Sequence, residues 1–215
     1  MGRDMKQSSA LVIVDLQNDF CDGGSFEVAE GSSIIPVINR LQPHFQLIAA
    51  SQDWHPADHS SFASNHPDLG IGAVVTTGHV QQILWPDHCV QDTSGAEFHP
   101  DLDTSRFANI VHKGVDVNID SYSAFFDNEH LRDTGLATFL QEHQIQNVYL
   151  AGLALDYCVK YSALDAKQLG FNVYVIADAT RAINLAEGDS EAALEEMRAA
   201  GIHIITAADI IQATK

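Results

Sequence analysis

"NVYLAGLALDYCVKYSALDAKQLGFNVYVIA", Asn147 to Ala177, decides the fold. It opens with an apolar run to Gly152, continues through Tyr157 to Gly170 with apolar residues at helical spacing, and closes with a second apolar run from Phe171 to Ala177. Strand, helix and strand in that order read as one parallel crossover, because parallel strands need a connection long enough to hold a helix. Gly170 ends the helical stretch, where the left-handed cap position favours glycine.

Outside this unit the same alternation recurs. Apolar runs span Ala10 to Val14, Phe45 to Ala50, Phe107 to Val111 and Ile202 to Thr206; segments at helical spacing span Ser32 to Gln42, Thr134 to Gln144 and Asp189 to Gly201. The runs are continuous rather than alternating, as strands covered on both faces read. The expectation is an α/β fold of three layers, a mostly parallel six-stranded sheet with helices on both faces, in a single domain over 1–215. The stretch 52–106 breaks the rhythm, being rich in His, Pro, Asp and Ser. A loop that long inside a compact domain is expected to serve function.

Eleven Lys and Arg against 29 Asp and Glu leave a formal net charge of −18. Such a surface repels phosphate backbones and anionic lipid, which argues against nucleic-acid and membrane partners. No apolar run reaches membrane-spanning length, and "MGRDMKQSSA" at the N-terminus lacks the apolar middle of a secretion signal, so a cytoplasmic protein is expected. Cys21, Cys89 and Cys158 are odd in number and far apart, which suits free thiols better than a disulfide framework. The sequence leaves room for a homo-oligomer.

Open parallel sheets bind ligands beyond the carboxyl ends of their strands. There the chain places Asp15 after the first apolar run, Asp53 and His55 after the second, Lys113 after the third and Cys158 after the fourth. Any one of these has a plain structural reading, but their joint placement is a constellation. Cys158 is expected in the first turn of a helix, where unpaired N–H groups and the helix dipole favour a thiolate. Lys113 is the candidate cation beside it and Asp15 the candidate proton acceptor. The N–H groups of Ala154 and Cys158 are placed to face an oxyanion. That combination describes acyl transfer through a thioester. Asp53 and His55 stand two apart, so an extended segment points both the same way, and His88 would complete a set of one carboxylate and two imidazoles.

Six blocks carry a family resemblance: "VDLQNDFC" (14–21), "SQDWHPADHSSFASNH" (51–66), "WPDHCVQDTSGAEFH" (85–99), "HKG" (112–114), "DSYSAFF" (120–126) and "GLALDYCVK" (152–160). Together they resemble the motifs of the bacterial nicotinamidase, or pyrazinamidase, family within the isochorismatase-like cysteine hydrolases. The resemblance implies hydrolysis of nicotinamide to nicotinate and ammonia in NAD salvage, with pyrazinamide also cleaved. It puts Asp15 as general base and acid, Lys113 as electrostatic partner and Cys158 as nucleophile. It also implies a cis peptide between Leu153 and Ala154, and substrate-binding walls at Phe20, Trp85 and Tyr122. A divalent metal is implied on Asp53, His55 and His88, with His59 a weaker candidate; Zn²⁺ is the default, and Fe²⁺ or Mn²⁺ are also compatible. The rival within the superfamily is an amidohydrolase for a carbamoyl or ureido substrate.

Overall fold

The computed structural model describes residues 8–213. Residues 1–7, most of the stretch read above for a secretion signal, lie outside them.

The first strand, β1 (Ser9–Val14), is buried along its whole length and pairs in parallel with β2 (Leu47–Asp53) on one side and β6 (Asn147–Leu153) on the other. With β5 (Asn109–Lys113), β7 (Asn172–Arg181) and β8 (His203–Ile205) they form a six-stranded sheet, all parallel, in the order β5-β2-β1-β6-β7-β8. Side chains of β1 alternate between two cores. Leu11 and Ile13 join one cluster, with Ile35, Ile38 and Leu41 of helix α1 (Ile35–Leu41) and Ile210 of α5 (Ala207–Ala213). Ala10, Val12 and Val14 join the other, with Leu136 and Leu140 of α2 (Leu136–Glu142), Ala163 and Ala166 of α3 (Lys160–Gln168) and Met197 of α4 (Asp189–Ala199). A strand that feeds two cores must be apolar on both faces, which is why "ALVIV" shows no alternation. Each fully buried Leu or Ile contributes about 2 kcal/mol of transfer free energy.

Two helices end as their glycines require. At the end of α3, the Gly170 N–H donates to Lys167 O and the Phe171 N–H to Ala166 O, with Gly170 at φ +92. Gly201 and Ile202 repeat the pattern on Arg198 and Met197 after α4, with φ +77 at Gly201. Both are Schellman closures that satisfy the last carbonyls.

The structure departs from the sequence expectations in three places. The segment after β2 is not wholly irregular: it contains an antiparallel hairpin, β3 (Val74–Thr77) with β4 (Val80–Ile83). These strands are short and bury only Gln82, so no core imposes a pattern on their sequence. Helix α5 has no counterpart among the segments read at helical spacing, although its start is legible: Thr206 N and Oγ1 both donate to Asp209 Oδ2, at 2.8 and 2.7 Å, a cap with the spacing of a capping box. Lastly, Cys158 does not lie in the first turn of α3. It sits in a π turn, Leu155–Val159, closed by the Val159 N–H donating to Ala154 O at 3.0 Å. The peptide between Leu153 and Ala154 is cis.

Candidate active site

Four adjacent strands deliver the polar cluster to one rim. Val14 pairs with Ser51 and Gly152, and Asp53 pairs with Lys113, so Asp15, Asp53, Lys113 and the turn after β6 emerge side by side at the carboxyl edge. The order reverses at β1, whose chain neighbour β2 lies on one side and whose later partner β6 lies on the other. In open sheets such a switch opens the ligand crevice.

Lys113 is the hub. Its side chain is fully buried, and its Nζ lies 2.8 Å from Asp15 Oδ2, 2.5 Å from Asp53 Oδ1, 2.9 Å from the Ser121 carbonyl and 3.4 Å from Cys158 Sγ. Oxygens of Asp15 and Asp53 and the Cys158 sulfur all fall within 4.8 Å of one another. Ser51 Oγ donates to Asp15 Oδ1 at 2.7 Å. Asp15 Oδ2 faces the ammonium in the ion pair.

Burial and charge set the protonation states. Burial raises the Asp15 carboxyl above its ordinary range, against the pull of Lys113. For Lys113, burial is outweighed by Asp15, Asp53 and Cys158, and the ammonium is held charged. Burial pushes the Cys158 thiol well up, beyond what Lys113 offsets. The resting sulfur therefore keeps its proton, unlike the thiolate expected from a helix start, with a carboxylate of raised basicity beside it.

A cavity opens over this sulfur. Cys158, Ala154, Asp53 and His88 line its polar side; Phe20, Trp85 and Tyr122 form aromatic walls. Tyr122 Oη accepts hydrogen bonds from Trp85 Nε1 at 3.1 Å and Gln82 Nε2 at 3.2 Å, which fixes two walls relative to each other. Sequence reasoning missed Phe26, Tyr157, Asp120 and Ile183, which line the same space. Tyr157 directly precedes Cys158, and Ile183 lies just past the end of β7, where the strand-end rule would have found it.

The histidines are aimed by backbone carbonyls. The His55 N–H donates to Cys89 O at 3.0 Å and the Gln91 N–H to His55 O at 2.8 Å, so the segment that carries His88 is laced to the one that carries His55. His55 Nδ1 donates to Gly114 O at 2.9 Å and His88 Nδ1 to Pro86 O at 2.7 Å. Both Nε2 atoms then face Asp53 Oδ2, at 3.6 and 3.7 Å. Those separations are too long for hydrogen bonds. Three ligand-type atoms turned on a common point fit a cation, and carbonyl-oriented imidazoles are the usual support for one. Asp53 thus divides its oxygens, Oδ1 to Lys113 and Oδ2 to the histidines, while Gln17 clamps its backbone from both sides at 2.7 and 2.9 Å. His59 lies against His55 with ring centroids 4.3 Å apart and planes tilted by 42°, and keeps a buried Nε2 without a partner. It forms a second potential ligand group, with His55 and Asp120, rather than joining the first.

A buried thiol, ammonium and carboxylate at the switch point of an open parallel sheet, beside a metal-compatible donor set, mark a hydrolase of the α/β class. The Isochorismatase domain model matches residues 9–209, and the chain belongs to that family. It is 48% identical to the nicotinamidase of Escherichia coli strain K12, covering 93% of this chain and 95% of that protein. Among solved structures, a nicotinamidase/pyrazinamidase of Acinetobacter baumannii superposes with a TM-score of 0.92 at 45% identity, covering 95% of this chain and 98% of that one. A Pyrococcus horikoshii pyrazinamidase in complex with zinc matches with a TM-score of 0.75 at 38% identity, over 93% and 99% of the two chains. No helix among the described residues is long and apolar enough to cross a membrane.

Proposed function

We propose that this chain hydrolyses nicotinamide to nicotinate and ammonia through a thioester on Cys158, and accepts pyrazinamide as a near isostere. The observation that carries the reading is that the Lys113 ammonium contacts both Asp15 Oδ2 and Cys158 Sγ at the base of an aromatic-walled cavity. The likeness to nicotinamidases over nearly the whole chain supports the same activity.

Asp15 takes the Cys158 proton as the sulfur attacks the carboxamide carbon, and Lys113 offsets the negative charge shared between them. The Ala154 and Cys158 N–H groups face the developing oxyanion. Asp15 then gives its proton to the departing nitrogen, and ammonia leaves. A water molecule that yields its proton to Asp15 attacks the thioester, nicotinate departs, and the proton returns to the sulfur. Asp15 needs a raised basicity to accept a proton from a thiol, and its burial supplies that. Phe20, Trp85 and Tyr122 hold the flat ring and exclude water. Asp53, His55 and His88 would hold a divalent ion, which when bound supplies a Lewis acid for a ring nitrogen. Nitrogen and oxygen donors admit Zn²⁺, Fe²⁺ or Mn²⁺, and the zinc-bound relative favours Zn²⁺. The product would enter NAD salvage in the cytoplasm.

Ammonia release from a panel of amides, with the protein as purified and after chelation, tests the reading. Nicotinamide and pyrazinamide should be cleaved and lose turnover on chelation. Preference for a ureido or carbamoyl compound would overturn it.

A further inference from the structure

Asp156 stands two residues before Cys158 in the π turn, and the chemistry above makes no use of it. Its carboxylate is buried and both oxygens are engaged: Oδ1 accepts the Ile183 N–H at 2.9 Å and Oδ2 the Asn184 N–H at 2.8 Å. Those two amides belong to the segment that leaves β7. Beyond them residues 184–188 are exposed, and Asn184 is held at φ +52. The neighbouring anchors are internal to that segment and its helix: Ser190 N to Asn184 Oδ1 at 3.0 Å and Ala186 N to Asp189 Oδ2 at 2.8 Å. The Asp156 bridge therefore ties the segment directly to the turn that carries the sulfur. Ile183 lines the cavity together with Ala154 and Cys158.

We propose that Asp156 is a positioning residue and Ile183 a specificity-determining one, with the carboxylate bridge setting how close the Ile183 side chain stands to the sulfur and so which rings fit beside it. The inference rests on the amide-hydrolase reading of the cavity. A carboxylate suits the task because two consecutive N–H donors need two acceptor oxygens in one plane, and charged acceptors give the stronger bonds. Asparagine would present one oxygen and turn an NH₂ toward the second N–H. The loosened segment would then hold Ile183 over a spread of positions, which weakens ring binding more than it slows bond making at Cys158.

The test compares Asp156→Asn, Ile183→Ala and the double variant on nicotinamide and on nicotinamide carrying a ring methyl group. Asp156→Asn should raise KM for nicotinamide about tenfold with kcat within about threefold, the split expected when binding rather than chemistry is lost. Ile183→Ala should shift kcat/KM toward the methylated amide by about tenfold, the usual worth of one methyl in an apolar pocket. In the Ile183→Ala background, Asp156→Asn should add little, because the two act as a unit. A fall in kcat at unchanged KM for Asp156→Asn, additive losses in the double variant, or unchanged discrimination by Ile183→Ala would overturn the proposal. Ile183→Ala alone keeps the question decidable should Asp156→Asn fail to fold. Wild-type ammonia release in the same assay separates the two claims. Its absence removes the amidase reading and this inference with it, whereas wild-type turnover with additive losses removes only the inference.

Discussion

Lys113 Nζ and Asp15 Oδ2 lie 2.8 Å apart with both side chains wholly out of water. The pair is not isolated, since the same ammonium also meets Asp53 at 2.5 Å and stands between two carboxylates. One cation therefore compensates two buried anions, and the stability of the rim and its chemistry depend on the same nitrogen.

Replacing Lys113 with Met leaves Asp15 and Asp53 facing each other in a dry site. Removing one partner of a buried pair costs about 3–5 kcal/mol. The expected outcome is a drop of that size in unfolding free energy by denaturant titration, together with loss of turnover; an unchanged midpoint would contradict the assignment of Lys113 as the compensating charge.

Cys158→Ala removes the sulfur but no buried charge. Ammonia release should fall by about four orders of magnitude or more, while circular dichroism and metal content stay as in the wild type. Retained turnover would end the nucleophile assignment.

The acid limb of kcat/KM should report Asp15. Its carboxyl is raised by burial, so the group must lose its proton above the ordinary aspartate range before it can act as a base, and activity should climb with pH through that value. Ser51 Oγ donates to Asp15 Oδ1 and favours the ionised form. Ser51→Ala should therefore move the limb to higher pH, and a shift to lower pH in the rate profile would refute the role of Asp15.

Iodoacetamide should separate the three cysteines. Cys21 is pushed up to about 11 by burial, and Cys89 is buried with its thiol well up. Cys158 is also raised, but it lines an open cavity and has Asp15 to take its proton. Peptide mapping after brief alkylation near neutral pH should find Cys158 modified first, and equal labelling of all three would count against an activated thiol.

His88→Ala deletes one of the two imidazoles that face Asp53 Oδ2. Metal content after dialysis, read by elemental analysis, should fall by at least about tenfold. A variant that keeps its metal would move the site elsewhere, and the His55, His59 and Asp120 group would be the place to look.

Local sequence determined much of this protein. Continuous apolar runs such as Ala10 to Val14 specify strands covered on both faces, Gly170 and Gly201 close helices at the positions where φ turns positive, and the strand-end rule picks out Asp15, Asp53, Lys113 and Cys158. The tertiary structure alone decided how those groups share their bonds. Lys113 reaches Asp53 across 60 residues and Cys158 across 45, and only the order β5-β2-β1-β6 makes those strands neighbours. Strand order follows from how the helices pack on the two faces, and no local period encodes it. For the same reason Phe26 entered the cavity unannounced: it reads as an ordinary apolar residue until the fold brings it to the pocket that Cys158 lines.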